Sequence, residues 1–103
     1  MPTKIGRNRI QFENLGGEVG DGNSQQHTRN AASAWAEAAT AYLERHGGGE
    51  ATVGFDYDHH AFHVGGTRNA ANTKKLAEAA DAAGWRAAHA YVADEIKSLA
   101  ECD

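Results

Sequence analysis

The fold prediction starts from the stretch Val53–His63, which reads Val-Gly-Phe-Asp-Tyr-Asp-His-His-Ala-Phe-His. Apolar and polar residues alternate along its first half, and a period of two is typical of a half-buried β-strand. Apolar residues resume the alternation after the polar break at Asp58–His60. The pattern therefore predicts a β-hairpin over residues 51–65, with its titratable groups at the tip and on the outer face.

A further strand is predicted near the N-terminus. Arg9–Glu13 alternates in the same way, and the strand may be extended toward Lys4. The glycine-rich segment Gly16–Ser24 that follows has the composition of a loop. Residues 1–23 are therefore expected to form a strand and a loop, and the strand is expected to join the hairpin in one small antiparallel sheet.

The remaining segments predict about three alanine-rich helices, over residues 24–46, 69–83 and 85–100. Gly47 and Gly84 are placed where glycine commonly ends a helix. Residues 86–92 stay open between helix and strand, although their alanine content favours helix. The sequence thus predicts a single α+β domain over residues 1–103, with the sheet packed by these helices.

The predicted core is poor in large side chains, because alanine supplies about half of the hydrophobic residues. An alanine buries little apolar area, so the larger residues must carry most of the core. A homodimer would bury additional apolar surface and relieve this shortage. The large residues expected in the core are Phe12, Trp35, Tyr42, Phe55, Phe62, Leu76, Trp85, Val92, Ile96 and Leu99.

The charge and the cysteine content argue against several kinds of function and site. The formal net charge is −4, with the acidic excess concentrated in residues 31–67, which argues against direct binding of nucleic acid. Cys102 is the single cysteine, so no disulfide and no cysteine-based zinc site form within one chain. No segment has the character of a leader or a membrane span, and a cytoplasmic location is expected.

The hairpin also carries a candidate metal site. Two carboxylates and three imidazoles lie within eight positions, and this donor set suits a divalent transition metal that activates water. A turn at His59–His60 would place Asp56 opposite His63, whereas a turn at Asp58–His59 would pair Phe55 with Phe62. A metal bound on the hairpin would make the protein a metal-dependent hydrolase or phosphodiesterase, which is the alternative function predicted. The predicted metal ligands are Asp56, Asp58, His59, His60 and His63.

Two weaker motifs also have ordinary structural explanations. Gly17–Ser24 has the spacing of a phosphate-binding loop, but Asn23 occupies the position of the essential lysine, so a connecting loop is favoured. The segment Thr73–Ala77 resembles the start of the last helix in double-stranded RNA-binding domains. That resemblance implies phosphate contacts by Lys74 and Lys75, and a solvated helix start is the simpler interpretation.

The favoured prediction is a small non-enzymatic protein-binding module without a cofactor, since no complete catalytic motif is present. Small acidic α+β proteins of this character include phage and mobile-element inhibitors of host defence, an association by general character alone. The expected partner is a basic protein that handles nucleic acid. The acidic residues expected to face it are Glu37, Glu44, Glu50, Asp56 and Asp58.

Overall fold

The computed structural model describes residues 3–6, 9–46, 52–56, 61–65 and 70–101, with side chains described for residues 11–46 and 73–101. Two long helices form most of this part of the chain, and a short helix and three short strands complete it. In chain order the elements are β1 (Thr3–Gly6), α1 (Arg9–Gly17), α2 (Ser24–His46), β2 (Thr52–Asp56), β3 (Ala61–Gly65) and α3 (Ala70–Glu101).

The core lies between α2 and α3, which make the most extensive contact in the protein. The two helices are antiparallel, because His27 near the start of α2 meets Tyr91 of α3 while Trp35 meets Asp81. Alanine fills much of the interface, so the helix axes approach closely around a few large side chains. The fully buried alanines are Ala31, Ala32, Ala39, Ala80 and Ala88.

Helix α1 covers one side of this pair. Its residues Phe12 and Leu15 are buried, and Val19 in the following turn completes an apolar edge at helical spacing. The ring of Phe12 meets those of Trp35 and Trp85 edge-on, at centroid distances of 5.7 and 5.9 Å. The prediction of a strand over Arg9–Glu13 is therefore wrong, because these residues belong to a helix.

The strands form an antiparallel sheet in the order β1-β3-β2. Strands β2 and β3 lie within the predicted hairpin, and their register pairs Phe55 with Phe62 and Asp56 with Ala61. Strand β1 pairs with the other edge of β3, so that Ile5 also lies opposite Phe62. The N-terminal strand thus precedes the segment from which it was predicted.

The predicted α+β fold class, a small sheet packed by alanine-rich helices, is wrong as a description of the core. Over residues 11–46 and 73–101 the chain is 91% helix in three helices, with no strand. Every buried residue described there comes from a helix or from the turn after α1. The physical reason is that alanine-rich faces pack closely on each other, so α2 and α3 bury each other's apolar stripes.

Helix α3 is continuous, and the predicted break at Gly84 does not occur. A Cβ atom at Gly84 would lie 2.7 Å from the carbonyl oxygen of Trp35. Glycine is therefore needed here for close contact between α2 and α3, whereas the sequence pattern suggested a helix end. Residues 86–92, left open between helix and strand, are helical.

The large core residues predicted from the sequence differ in burial: Tyr42, Leu76 and Trp85 are partly buried against the core, and the side chains of Phe55 and Phe62 lie outside the described part. Phe12, Trp35 and Val92 are buried, whereas Ile96 and Leu99 are 43% and 41% exposed. The cause of the difference is that α3 extends beyond its partner. His27 lies level with Tyr91 and only one turn from the start of α2, so the last turns of α3 have no α2 residues beside them.

Candidate functional site

The most organised group of polar side chains lies where the loop after α1 meets the two long helices. His27 is only 6% exposed, yet both of its ring nitrogens have partners. Its Nε2 lies 2.8 Å from Asp21 Oδ2, and its Nδ1 lies 2.9 Å from the Tyr91 hydroxyl. Asn30 Nδ2 donates to the same hydroxyl at 2.8 Å. We call Asp21, His27, Asn30 and Tyr91 the histidine network.

One assignment of protons satisfies every group of the histidine network. The Tyr91 oxygen accepts from Asn30, so its own proton is free to be donated to His27 Nδ1. The Nε2–H of a neutral His27 then donates to Asp21, whose ionised carboxylate only accepts. All hydrogen bonds run in one direction, which strengthens each of them by polarisation.

The loop that supplies Asp21 is shaped by two glycines and by local hydrogen bonds. Gly20 and Gly22 have φ angles of 74° and 86°, in the left-handed region that glycine adopts without strain. Asp21 Oδ1 accepts from the backbone N–H of Asn23 at 2.9 Å. The Asn23 carbonyl then accepts the first hydrogen bond of α2, from the N–H of His27. Asp21 is therefore held beside His27 by the turn that begins α2.

The electrostatics of the histidine network favour an ionised Asp21. The hydrogen bond with His27 and then the backbone N–H of Asn23 lower the pKa of Asp21 from its ordinary value of 3.8. The Asp21 side chain is 20% exposed and that of His27 is 8% exposed, so the pair lies at the edge of the core. Such an edge position combines fixed geometry with access from solvent.

A shallow polar depression of about 400 Å³ lies next to the histidine network. Gln26 connects the two, because it lines the depression and donates from Nε2 to Asn30 Oδ1 at 3.0 Å. Arg29 is the charged residue in the lining. The remaining residues that line the depression are Gly22, Asn23, Ser24 and Gln25.

The acidic residues predicted to bind a partner are only partly within the described side chains. Glu37 and Glu44 are exposed on α2, seven positions and thus about 10 Å apart along one side of the helix. Among the described residues neither forms an ion pair. Glu50 and Asp58 lie outside the described residues, and Asp56 is described only as the last residue of β2.

The strand register bears on two of the five predicted metal ligands, Asp56 and His63. Asp56 lies opposite Ala61, and His63 lies opposite Gly54 and Lys4. The register that would have set Asp56 against His63 is therefore wrong. His59 and His60 lie outside the described residues, as does Asp58. Where side chains are described, no three of the His, Cys, Asp and Glu residues form a group that could hold a metal ion.

The histidine network was not predicted from the sequence. Its members come from a loop and two helices, and Tyr91 is 64 positions from His27. A histidine two turns before the apolar Trp35 on the same face of α2 is the one signal that could have indicated a buried imidazole. His89, predicted at the core or its boundary, is exposed, with its ring 4.5 Å from that of Trp85. Lys74 and Lys75 are exposed within the second turn of α3.

No protein-family model, curated protein or solved structure matches this chain. Among the helices described, none has the length and apolar character that crossing a membrane requires. Function must therefore be argued from the described surfaces and from the histidine network.

Proposed function

We propose that the protein is a protein-binding module that presents an acidic helical face to the basic surface of a nucleic-acid-handling partner. Occupying that surface would prevent nucleic acid from binding there, which would make the module an inhibitor of its partner. Its place of action would be the cytoplasm, where such a partner works on nucleic acid.

The observation that carries this proposal is the exposure of Glu37 and Glu44 on α2. Both carboxylates lie on the side of the helix away from the buried Trp35 and Ala39, and both lack an ion pair among the described residues. Unpaired surface carboxylates on a rigid helix attract a basic surface over a distance of about one Debye length. They would speed association and orient the partner.

The exposed end of α3 supports the same proposal. Ile96 and Leu99 continue the apolar stripe of Val92 beyond the start of α2, where solvent reaches them. This pair lies roughly 30 Å along the helix pair from Glu37, so it would contact a partner separately from the acidic face. Lys97 and the acidic residues Asp94, Glu95 and Glu101 surround this pair, so the local charge is also negative.

The experiment is a charge reversal with a matched control. Tagged wild-type chain is used to capture proteins from a host lysate, and the retained candidate is purified and its affinity measured by calorimetry. We expect E37K/E44K to weaken binding tenfold or more at low salt. E18K/E78K changes the net charge equally at exposed positions on other elements, and it should retain most of the affinity.

Two results would overturn the proposal. An equal loss in both double variants would mean that only net charge matters, and unchanged affinity in E37K/E44K would remove this face from the interface. Competition provides a second criterion, because duplex nucleic acid should displace the wild-type chain from a partner of the proposed kind.

A further inference from the structure

We propose that Tyr91 is a nucleophilic tyrosine that attacks an activated phosphate ester, with His27 as the base that takes its proton. This proposal is independent of the protein-binding function, because it concerns the histidine network and not the acidic face of α2. It also assigns a chemical use to the buried imidazole, which the binding proposal does not use.

The order of groups in the histidine network carries the proposal. A carboxylate, an imidazole and a hydroxyl follow one another at 2.8 and 2.9 Å, from Asp21 through His27 to Tyr91. A base within hydrogen-bond reach of a hydroxyl, itself oriented by a third group, is the arrangement that activates hydroxyl nucleophiles. Asp21 fixes the tautomer in which His27 Nδ1 is free to accept the proton.

Asn30 adds a second effect at the same oxygen. Its Nδ2–H donates to the Tyr91 oxygen at 2.8 Å, and a fixed donor stabilises negative charge that develops there. Gln26 holds the Asn30 amide in that orientation through its own hydrogen bond. Tyr91 is itself half-buried, and its hydroxyl contacts lie in a part-buried setting at the edge of the core.

The depression is linked to the histidine network through the hydrogen bond from Gln26 to Asn30, while none of the four network residues lines it, and its lining favours one class of substrate. Arg29 contributes a positive charge to its lining, and no carboxylate is among the six described lining residues, which are Gly22, Asn23, Ser24, Gln25, Gln26 and Arg29. This composition suits an anionic ester rather than a cationic one.

The step balances without an oxidant or reductant. The Tyr91 oxygen forms a bond to phosphorus while the bond from phosphorus to the leaving oxygen breaks. The phenolic proton passes to His27 Nδ1 and then to the leaving alkoxide. The products are a phosphorylated Tyr91 and an alcohol, and His27 returns to its neutral form.

A fluorophosphonate is the probe for this reactivity, because its P–F bond breaks on attack and leaves a stable adduct. The purified full-length chain is treated near neutral pH, and adducts are mapped and timed by mass spectrometry. Tyr42 is the control within the same molecule, because it is also half-buried. Its ring centroid lies 4.2 Å from that of His46, but the Tyr42 hydroxyl forms no hydrogen bond among the described residues. We expect Tyr91 to react at least tenfold faster than Tyr42.

Variants separate activation from simple exposure. Y91F should abolish the adduct, and H27Q should slow labelling of Tyr91 at least tenfold. D21N should also slow it at least tenfold, whereas D21E should recover part of the rate, because Asp21 acts as a positioning residue through His27. Circular dichroism establishes that each variant is folded, and Asp21 lies on a loop where substitution is tolerated best.

Equal labelling of Tyr91 and Tyr42 in the wild-type chain would overturn the proposal, even if H27Q failed to fold. Unchanged Tyr91 labelling in D21N would also overturn it, because the carboxylate would then have no part in activation.

Discussion

The substitution Gly84→Ala tests the packing of α2 against α3. Alanine in the middle of a helix normally stabilises by about 1 kcal/mol relative to glycine. At this position the added Cβ would overlap Trp35 Cδ1, its nearest neighbour, and would lie 2.7 Å from both Nε1 and the carbonyl oxygen of Trp35. Ordinary non-bonded contacts are about 3.5–4.0 Å, so the two helices would have to separate by roughly 1 Å.

The expected magnitude follows from three contributions. Forcing extra atoms into a packed core costs about 1–3 kcal/mol. Displacing Trp35 also weakens its 3.0 Å hydrogen bond to Asp81, which contributes about 1 kcal/mol. After the gain in helix propensity is subtracted, we expect a net loss of about 2 kcal/mol in the free energy of unfolding. For a domain of this size, that loss lowers the melting temperature by roughly 10 °C.

Thermal unfolding followed by far-ultraviolet circular dichroism measures this loss. Gly17→Ala is the matched control, because a Cβ there meets nothing within 4 Å and Gly17 is the last residue of α1. Its melting temperature should stay within a few degrees of wild type. A Gly84→Ala protein as stable as the Gly17→Ala protein would refute the close approach of Trp35 to α3.

Three other outcomes follow from the described contacts. The pKa of Asp21 is lower in the folded state than its ordinary value of 3.8. Its stabilising effect is therefore complete above the ordinary pKa of 3.8 and is lost as the pH falls through the folded pKa. The melting temperatures of wild type and D21N should converge only below about pH 4. Nitrogen NMR of the neutral His27 ring should show the proton on Nε2, and a neutral ring protonated on Nδ1 would contradict the order of hydrogen bonds. Val92→Ala should cost about 1–3 kcal/mol in urea unfolding, whereas Leu99→Ala at the exposed end of α3 should cost under about 1 kcal/mol, and equal losses would place Leu99 in the core.

The helix α2 could be predicted from sequence because its ends carry local signals. It begins after Asn23, at the end of a glycine-rich loop, and it ends immediately before Gly47. The helical periodicity of Trp35, Ala39 and Leu43 then identifies the buried side. Here the local pattern and the tertiary packing agree, so sequence and structure give the same bounds.

Two other elements were predicted wrongly because the deciding contacts are distant. Five alternating residues at Arg9–Glu13 fit a strand locally, but Phe12 and Leu15 have helical spacing and are buried by α2 and α3 together. In the sequence, Gly84 resembles a glycine that ends a helix. In the structure, Trp35 of α2 packs directly against this position. Neither conflict can be resolved from the residues adjacent in sequence.

The candidate site was the least predictable feature. Asp21 and His27 are six positions apart, but their pairing depends on the left-handed turn at Gly20 and Gly22. Tyr91 reaches them only because α3 runs antiparallel to α2 in one register. The hairpin has a high density of titratable residues, and its register places Asp56 opposite Ala61 and not opposite His63. Asp58, His59 and His60 lie outside the described residues, so the metal site on the hairpin stays a prediction.

The most direct test of the proposed binding function is the salt dependence of affinity for the captured partner, measured for wild type and E37K/E44K. The proposed function predicts that wild-type affinity falls steeply as salt rises, and that the double variant is weaker by tenfold or more at low salt and depends less on salt. Salt curves that coincide for the two proteins would contradict the proposal that Glu37 and Glu44 face a basic partner.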